Sequence, residues 1–404
     1  MVSLGIGIAA IASGTIGTIW AGSLSSLGEG GMGDEAVTQT KRRLWTFVTV
    51  AMFILLTVAA GCLDRPLTPG HRTLEGDVWV LKLDDAGNRE WFTVIDSGRF
   101  DEAFSIVEVP DGYAIAGSAS EAGEFHPTPR AILLDREGAV AWDRTYPTPD
   151  DRRGTGIAPA DQGGFAVAAS RGLLILMDTD GSERHRTDLA AEGEYWAIAP
   201  SSAGGWIAAG GDRVARIDGD GTVAWQESVG GVSPDSIPII IPDPAGGFLI
   251  AGEAAGVPGA ITAAKFDDRG APVWNTTVRG DPGERYLLSA ARQDPAGGYS
   301  LLAGVTSAEP AGVLEISLGE DGSILRQNTI NASAPVTWIP DGGYISAALI
   351  ENGYGGALLR VERLDEDGAA SWTSTQRLGE YSSIVALIPM IDGGSAVLGM
   401  YMKY

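Results

Sequence analysis

Cysteine is nearly absent: the 404 residues contain one, Cys62, so neither an intrachain disulfide nor a thiol-rich metal site can form. Histidine is scarce as well. His71, His126 and His185 stand far apart, and no His-x-x-x-His spacing offers a zinc site, so no metal site is expected from them. Lysine occurs only at positions 41, 82, 265 and 403, the other basic residues being arginine. With 28 basic against 52 acidic residues, the formal net charge is −24, which excludes a nucleic-acid groove and a face for anionic lipid. Acid-rich, lysine-poor surfaces suit salty surroundings, and a GC-rich genome also favours Arg over Lys; both readings stand. Missing too are a 3.6-residue helical period, a Gly-x-Ser-x-Gly elbow, a phosphate loop and a dinucleotide fingerprint.

What is present points to a folded chain of short strands. A hydrophobic fraction of 44% rules out disorder. The 57 glycines, with no collagen period, indicate many tight turns.

Residues 41–62 read KRRLWTFVTVAMFILLTVAAGC: three bases, about 18 uncharged and mostly apolar residues, then small residues leading into Cys62. That is the layout of an export signal. The bases hold its start in the cytoplasm, so the chain beyond Cys62 is expected on the extracellular face of the membrane. Ala59-Ala60-Gly61-Cys62 resembles the lipobox of prokaryotic lipoproteins, which implies lipidation of Cys62, although Ala59 stands where that family prefers Leu. An uncleaved single-pass anchor and a simple buried Cys are the alternatives. Upstream, residues 1–40 form a leader of doubtful status, consistent with a mis-assigned start and translation from Met32 or Val37. The division expected is 1–40 leader, 41–62 signal or anchor, 63–76 tether and 77–404 repeat domain.

Two signatures alternate along 77–404. The first is Asp-x-x-Gly-x-x-x-Trp, at Asp84…Trp91, Asp135…Trp142, Asp218…Trp225, Asp267…Trp274 and Asp365…Trp372. Two degenerate copies carry His185 and Arg326 in the Trp place, and the turn glycines are spaced 51, 43, 40, 49, 52 and 46 apart. Each copy reads as strand, tight turn, return strand, with the Trp (Trp91, Trp142, Trp225, Trp274, Trp372) packing against a neighbouring unit. The second signature is Gly-Gly followed by an aromatic and a small-residue strand, from Gly112-Tyr113 to Gly394-Ser395. Two hairpins per unit in 40–52 residues make a four-stranded blade. The fold expected is all-β, a seven-bladed β-propeller. Because the first hairpin is Trp-type and the last is Gly-Gly-type, the ring is expected to close two strands plus two.

These repeats resemble the quinoprotein-like (PQQ-like) propeller superfamily, and more closely the Asp-Gly-Gly-Tyr repeats of exported archaeal surface proteins and lipoproteins. The resemblance spans 77–404 and implies fold, not activity. Quinoprotein enzymes pair eight blades with a vicinal disulfide, so their quinone chemistry is not carried over and no cofactor is expected.

Variable loops over a rigid scaffold are where binding residues gather. Acids repeatedly stand just before the innermost strands: Asp101 and Glu102, Asp151, Glu194, Asp235, Glu284 and Glu380, with Arg152, Arg153 and Arg285 among them. They form either a carboxylate ring holding a cation or cationic ligand, or solvated loop caps. Asp178-x-Asp180-Gly181 and its copies start like calcium loops but lack the distal Glu; turn chemistry alone accounts for them, with calcium binding as the alternative. Asn275-Thr-Thr and Asn331-Ala-Ser are glycosylation sequons. The function expected is a surface-anchored, monomeric, non-catalytic binding or scaffold propeller with envelope proteins or glycans as partners. The alternatives are an exported hydrolase or lyase using loop-face carboxylates, and a part of a cell-envelope layer.

Overall fold

In the computed structural model, the residues described are 75–404, apart from 122–125, 161–162, 190–193, 234–235, 281–282, 296, 307–311, 352–356, 379–381 and 404. The leader, the basic-apolar segment, Cys62, Asp235 and Glu380 therefore lie outside the described residues. Two compact units divide the chain at His71 and Arg72, and only the second carries described structure. All its regular elements, among the described residues, are strands.

The chain enters with β1 (Glu75–Leu83) and β2 (Arg89–Ile95), and the later strands follow in consecutive sets of four, the first of which joins β1 through a single parallel residue pair, Gly76 with Phe100, while the other five form four-stranded sheets. These are β3 (Phe100–Val109), β4 (Gly112–Ser120), β5 (Thr128–Leu134) and β6 (Val140–Thr145); then β7 (Gly154–Pro159), β8 (Phe165–Ala169), β9 (Leu173–Met177) and β10 (Glu183–Asp188). Next come β11 (Ala197–Pro200), β12 (Trp206–Gly210), β13 (Arg213–Ile217) and β14 (Val223–Ser228); then β15 (Ile239–Pro242), β16 (Phe248–Glu253), β17 (Ile261–Phe266) and β18 (Pro272–Val278). The last complete sets are β19 (Tyr286–Gln293), β20 (Tyr299–Val305), β21 (Gly312–Leu318) and β22 (Ile324–Ile330), and β23 (Val336–Trp338), β24 (Tyr344–Glu351), β25 (Ala357–Leu364) and β26 (Ala370–Arg377). The chain ends on β27 (Ser382–Pro389) and β28 (Ser395–Lys403). β28 pairs antiparallel with β1 along its length, Glu75 opposite Lys403 and Leu83 opposite Ser395.

Pairing within every set is antiparallel, and the first strand of each set touches the first strand of the next: β3 with β7, then β11, β15, β19, β23, β27 and β3 again. Burial follows this order. The second strand is covered on both faces, as in β4, all nine of whose residues are buried. The fourth strand, such as β6, is mostly exposed. Apolar clusters sit between successive sheets; one joins Val78, Val80 and Leu398 to Tyr113, Ile115, Ile132 and Leu134. Sheets stacked face to face require apolar residues on both sides of a strand, which explains the continuous runs in place of alternation.

Steric fit at two glycine positions sets the spacing of the sheets. The glycine that leads into the second strand, Gly112 after Asp111 and the second Gly of each Gly-Gly pair, lies against a backbone carbonyl of the third strand. A Cβ on Gly112 would sit 1.9 Å from Leu134 O, and one on Gly394 would sit 2.3 Å from Leu83 O. The turn Gly of the Trp-type hairpin receives a ring from the preceding sheet: Trp91 on Gly138, Trp142 on Gly181, His185 on Gly221, Trp225 on Gly270, Trp274 on Gly322 and Trp372 on Gly87. The indole N–H of Trp91, Trp142, Trp274 and Trp372 donates to the carbonyls of Arg136, Thr179, Glu320 and Asp85 at 2.7–3.0 Å. Two residues beyond the ring, the hydroxyls of Thr93, Thr187 and Thr276 donate to the same glycines' carbonyls, at 2.6, 2.7 and 2.5 Å. Trp142→Ala removes a half-buried indole and one hydrogen bond. A loss of about 2–3 kcal/mol is expected, read as a lower urea midpoint at unchanged slope.

Candidate functional site

One end of the sheets carries the short Asp-x-x-Gly and Gly-Gly turns, and the other carries the longer connections. At that longer end Asp101 and Glu102 do not belong to a loop; they open β3, because Phe100 already pairs with Ser120 and Asp101 with Ala119. The alternation of the strand sends these two neighbours to opposite faces.

Asp101 is buried. Its Oδ1 lies 2.6 Å from Nη1 of Arg130 on β5, a close ion pair off the line of an N–H bond, with the two side chains 0% and 1% exposed. Asp101 also accepts from the Ser97 hydroxyl at 2.7 Å and the Ser97 N–H at 3.1 Å. The same guanidinium grips Asp143 of β6 through Nε at 2.7 Å and Nη2 at 2.5 Å. Burial alone would lower the Arg130 pKa, yet Asp143 and Asp101 more than offset it and the net shift is upward. This brace fixes the start of β3, and with it Glu102.

Glu102 faces outward and begins a charged strip running over three sheets. Its Oε2 accepts from Ser118 Oγ at 2.8 Å and Arg153 Nε at 2.9 Å. The Arg153 N–H donates to Ser170 Oγ at 2.9 Å. Beside it, Arg171, at φ 59°, donates its N–H to Glu194 Oε2 at 2.7 Å. Arg171 Nη1 and Arg152 Nε converge on Asp150 at 3.2 and 2.9 Å, while Arg152 Nη1 donates to the Arg171 carbonyl at 3.2 Å. Asp151 holds His126 Nδ1 at 3.0 Å. The structure thus brings Glu102, Asp151, Arg152 and Glu194 onto one strip and removes Asp101 from it.

The strip presents charged groups of both signs to solvent. Arg153, Arg171 and His126 expose 44, 55 and 73% of their side chains, and each has an acid beside it. Arg152, and after it Arg171, hold the Asp150 carboxyl below the usual range, the opposite of what a general acid needs. Among the described residues no three His, Cys, Asp or Glu side chains gather as a metal site.

The remaining sequence candidates lie elsewhere. Glu284 precedes β19 and accepts from the Tyr286 hydroxyl at 3.3 Å; the Arg285 carbonyl accepts from the Thr306 N–H at 3.0 Å. Asn275 lies within β18 and its amide donates to the Gly230 carbonyl at 3.2 Å, so a glycan there would cost that bond. Asn331 is exposed just beyond β22.

Sequence reasoning missed the basic residues of the third strands. Lys82, 1% exposed, reaches Glu90 at 2.7 Å and Asp392 at 2.8 Å, joining the two ends of the repeat region. Lys265 bonds Asp243 and, at 2.7 Å, the Tyr299 hydroxyl of the next sheet; Arg363 bonds Asp341. The signal was available: a base two residues before the turn Asp, with an acid in the Gly-Gly turn.

These pairs set a pH dependence. Burial would raise the Asp392 and Asp243 pKa values, but Lys82 and Lys265 outweigh it and both end below 3.8. A folded pKa below the unfolded one gives stability that is present above about pH 4 and lost as pH falls through the folded value. Lys82 is raised above 10.5, so its share persists to beyond that pH. The expected melting temperature drops as pH falls below about 4. Lys82→Met is expected to soften the acid drop in the same melts.

Among known protein families, a model described as outer membrane protein assembly factor BamB matches residues 130–374. Among solved structures, the WD40 β-propeller domain of Doa1 superposes with a TM-score of 0.51 at 12% identity, covering 76% of this chain and 94% of that one. Virginiamycin B lyase from Staphylococcus aureus gives a TM-score of 0.47 at 12% identity, covering 80% and 99%. BamB from Moraxella catarrhalis gives 0.40 at 17%, covering 74% and 94%. No curated protein matches in sequence. The Doa1 likeness shows a β-propeller fold and nothing of activity.

Proposed function

Because the chain belongs to the family described as outer membrane protein assembly factor BamB, we propose that it is a non-catalytic scaffold binding cell-envelope proteins or glycans at the outer face of a membrane. The ring has seven blades and closes two strands plus two, with β27 and β28 completing the blade begun by β1 and β2. In support, β28 ladders with β1, and Trp372 sits on Gly87 as the other rings sit on their glycines. The chain acts as a monomer, tethered through a lipid on Cys62. The export-signal layout of residues 41–62 supports that address.

The observation that carries the binding reading is the strip from Glu102 through Arg153 and Arg171 to Glu194. It offers exposed groups of both signs on a rigid support, which favours orientation and selection of a partner. The test is affinity capture from envelope extracts with the full-length chain, compared with an Arg153→Glu/Arg171→Glu variant. Exposed pairs contribute little to stability, so the variant's melting temperature should hold. Capture of a discrete partner, weakened at least tenfold in the variant, is the expected result. An identical captured set, or turnover of an envelope substrate, would overturn the reading. Cys62→Ser should move the chain from the membrane to the soluble fraction.

A further inference from the structure

The junction between the β19–β22 sheet and the β23–β26 sheet departs from the repeat in several ways at once. Arg326 occupies the ring position, is exposed, and leaves Gly368 facing Ile330 instead of an aromatic. Glu362 stands three residues before the turn Asp, where the other sheets bury Leu81, Ile132, Ile175, Ala215, Ala264 and Ile316 at 0–2% exposure. Ser346 likewise replaces residues such as Ile115 and Val167. Across the gap Glu315 stands where other sheets have Val80 or Leu174, and its Oε1 accepts from the Trp338 indole at 3.1 Å. Burial and, after it, Glu315 push the Tyr344 hydroxyl up to about 12.

A cleft of about 480 Å³ opens there, lined by Asn331, Ser333, Arg360, Glu362, Leu364 and Gly368. Its size falls in the roughly 300–1,000 Å³ range of small-ligand sites. Arg360 Nε lies 3.5 Å from Glu362 Oε2 as an ion pair and makes no hydrogen bond, while Glu362 Oε1 accepts from the Thr373 hydroxyl at 3.4 Å. The side chains expose 37 and 20% of their surface. A packed blade junction gains nothing from a charged pair in place of an aliphatic residue. The guanidinium gives donors, the carboxylate acceptors, and the Asn331 amide and Ser333 hydroxyl both. One positive and one negative charge leave the cleft without an excess of either sign. A strongly anionic chain also disfavours an anion.

We infer that this cleft binds a neutral saccharide unit, whose vicinal hydroxyls bridge Arg360 and Glu362. The sugar is either that of a separate glycan or the first unit of a glycan carried by Asn331, whose sequon borders the cleft. The inference stands independently of the charged strip. The first arm uses the full-length chain from a host without N-glycosylation. It is titrated by saturation-transfer NMR with glucose, galactose, mannose and N-acetylglucosamine and their disaccharides. Saturable binding is expected, weakened at least tenfold by Glu362→Leu. That variant restores the apolar residue of the repeat, so its melting temperature should not fall. The second arm uses a glycosylating host and mass spectrometry. A glycan at Asn331, whose removal lowers the melting temperature of the natural chain but not of Glu362→Leu, assigns the tethered source. Absence of both saturable binding and a stabilising glycan at Asn331, or binding unchanged in Glu362→Leu, overturns the inference.

Discussion

A full-length chain truncated after Asp392 is expected to lose its cooperative thermal transition. The deletion removes β28, and with it the ladders to β1 and to β27. Ala396, Val397 and Leu398 are all 0% exposed, and burial of the Val and Leu side chains contributes about 1.5–3 kcal/mol each. More is lost through Trp79, fully buried against Gly399 of the same strand. Two uncovered strand edges would also be left open to aggregation. Together with the ladder hydrogen bonds, at about 1 kcal/mol each, the loss rivals the roughly 5–15 kcal/mol that holds an ordinary domain together. Circular dichroism melts in the near and far ultraviolet read the outcome. A truncated chain that melts cooperatively within about 5 °C of the full one, a shift worth only about 2 kcal/mol at this size, would show that the closing strand is dispensable. Gly399→Val is the single-residue counterpart: its Cβ would fall 2.1 Å from Trp79 Cζ2 and 2.3 Å from Ser383 O.

Much of this architecture is legible in the sequence, because repeated turns put glycine at fixed places. Gly87, Gly138 and their copies have φ near +80°, which any other residue enters only with strain. The rings spaced four residues on announce a contact that recurs with the period. What the sequence hid is what depends on partners from distant strands. Asp101 and Glu102 are adjacent acids in a variable stretch, and nothing local tells that one is sealed against Arg130 while the other begins an exposed strip. Lys82 finds its partner Asp392 310 positions away. The cleft at Glu362 is present in the sequence as a departure from the repeat, visible only once the blades are aligned strand by strand. A search for motifs does not find a site made by an interruption.

Arg130→Met is expected to cost about 3–5 kcal/mol, because it strands Asp101 as a buried charge with only the Ser97 groups to meet it. Arg130→Met combined with Asp101→Leu removes both charges and should recover most of the loss, since a buried ion pair replaced by apolar residues of similar volume is often neutral or better. Urea midpoints of the two single variants and the double variant close the cycle. Additive losses would mean that the brace is not a unit. The same variants link fold to function, since Glu102 follows Asp101 in the strand and receives Arg153 on the exposed strip. If Asp101 shifts, the strip should lose its order at that end, and partner capture should fall in Arg130→Met and return in the double variant.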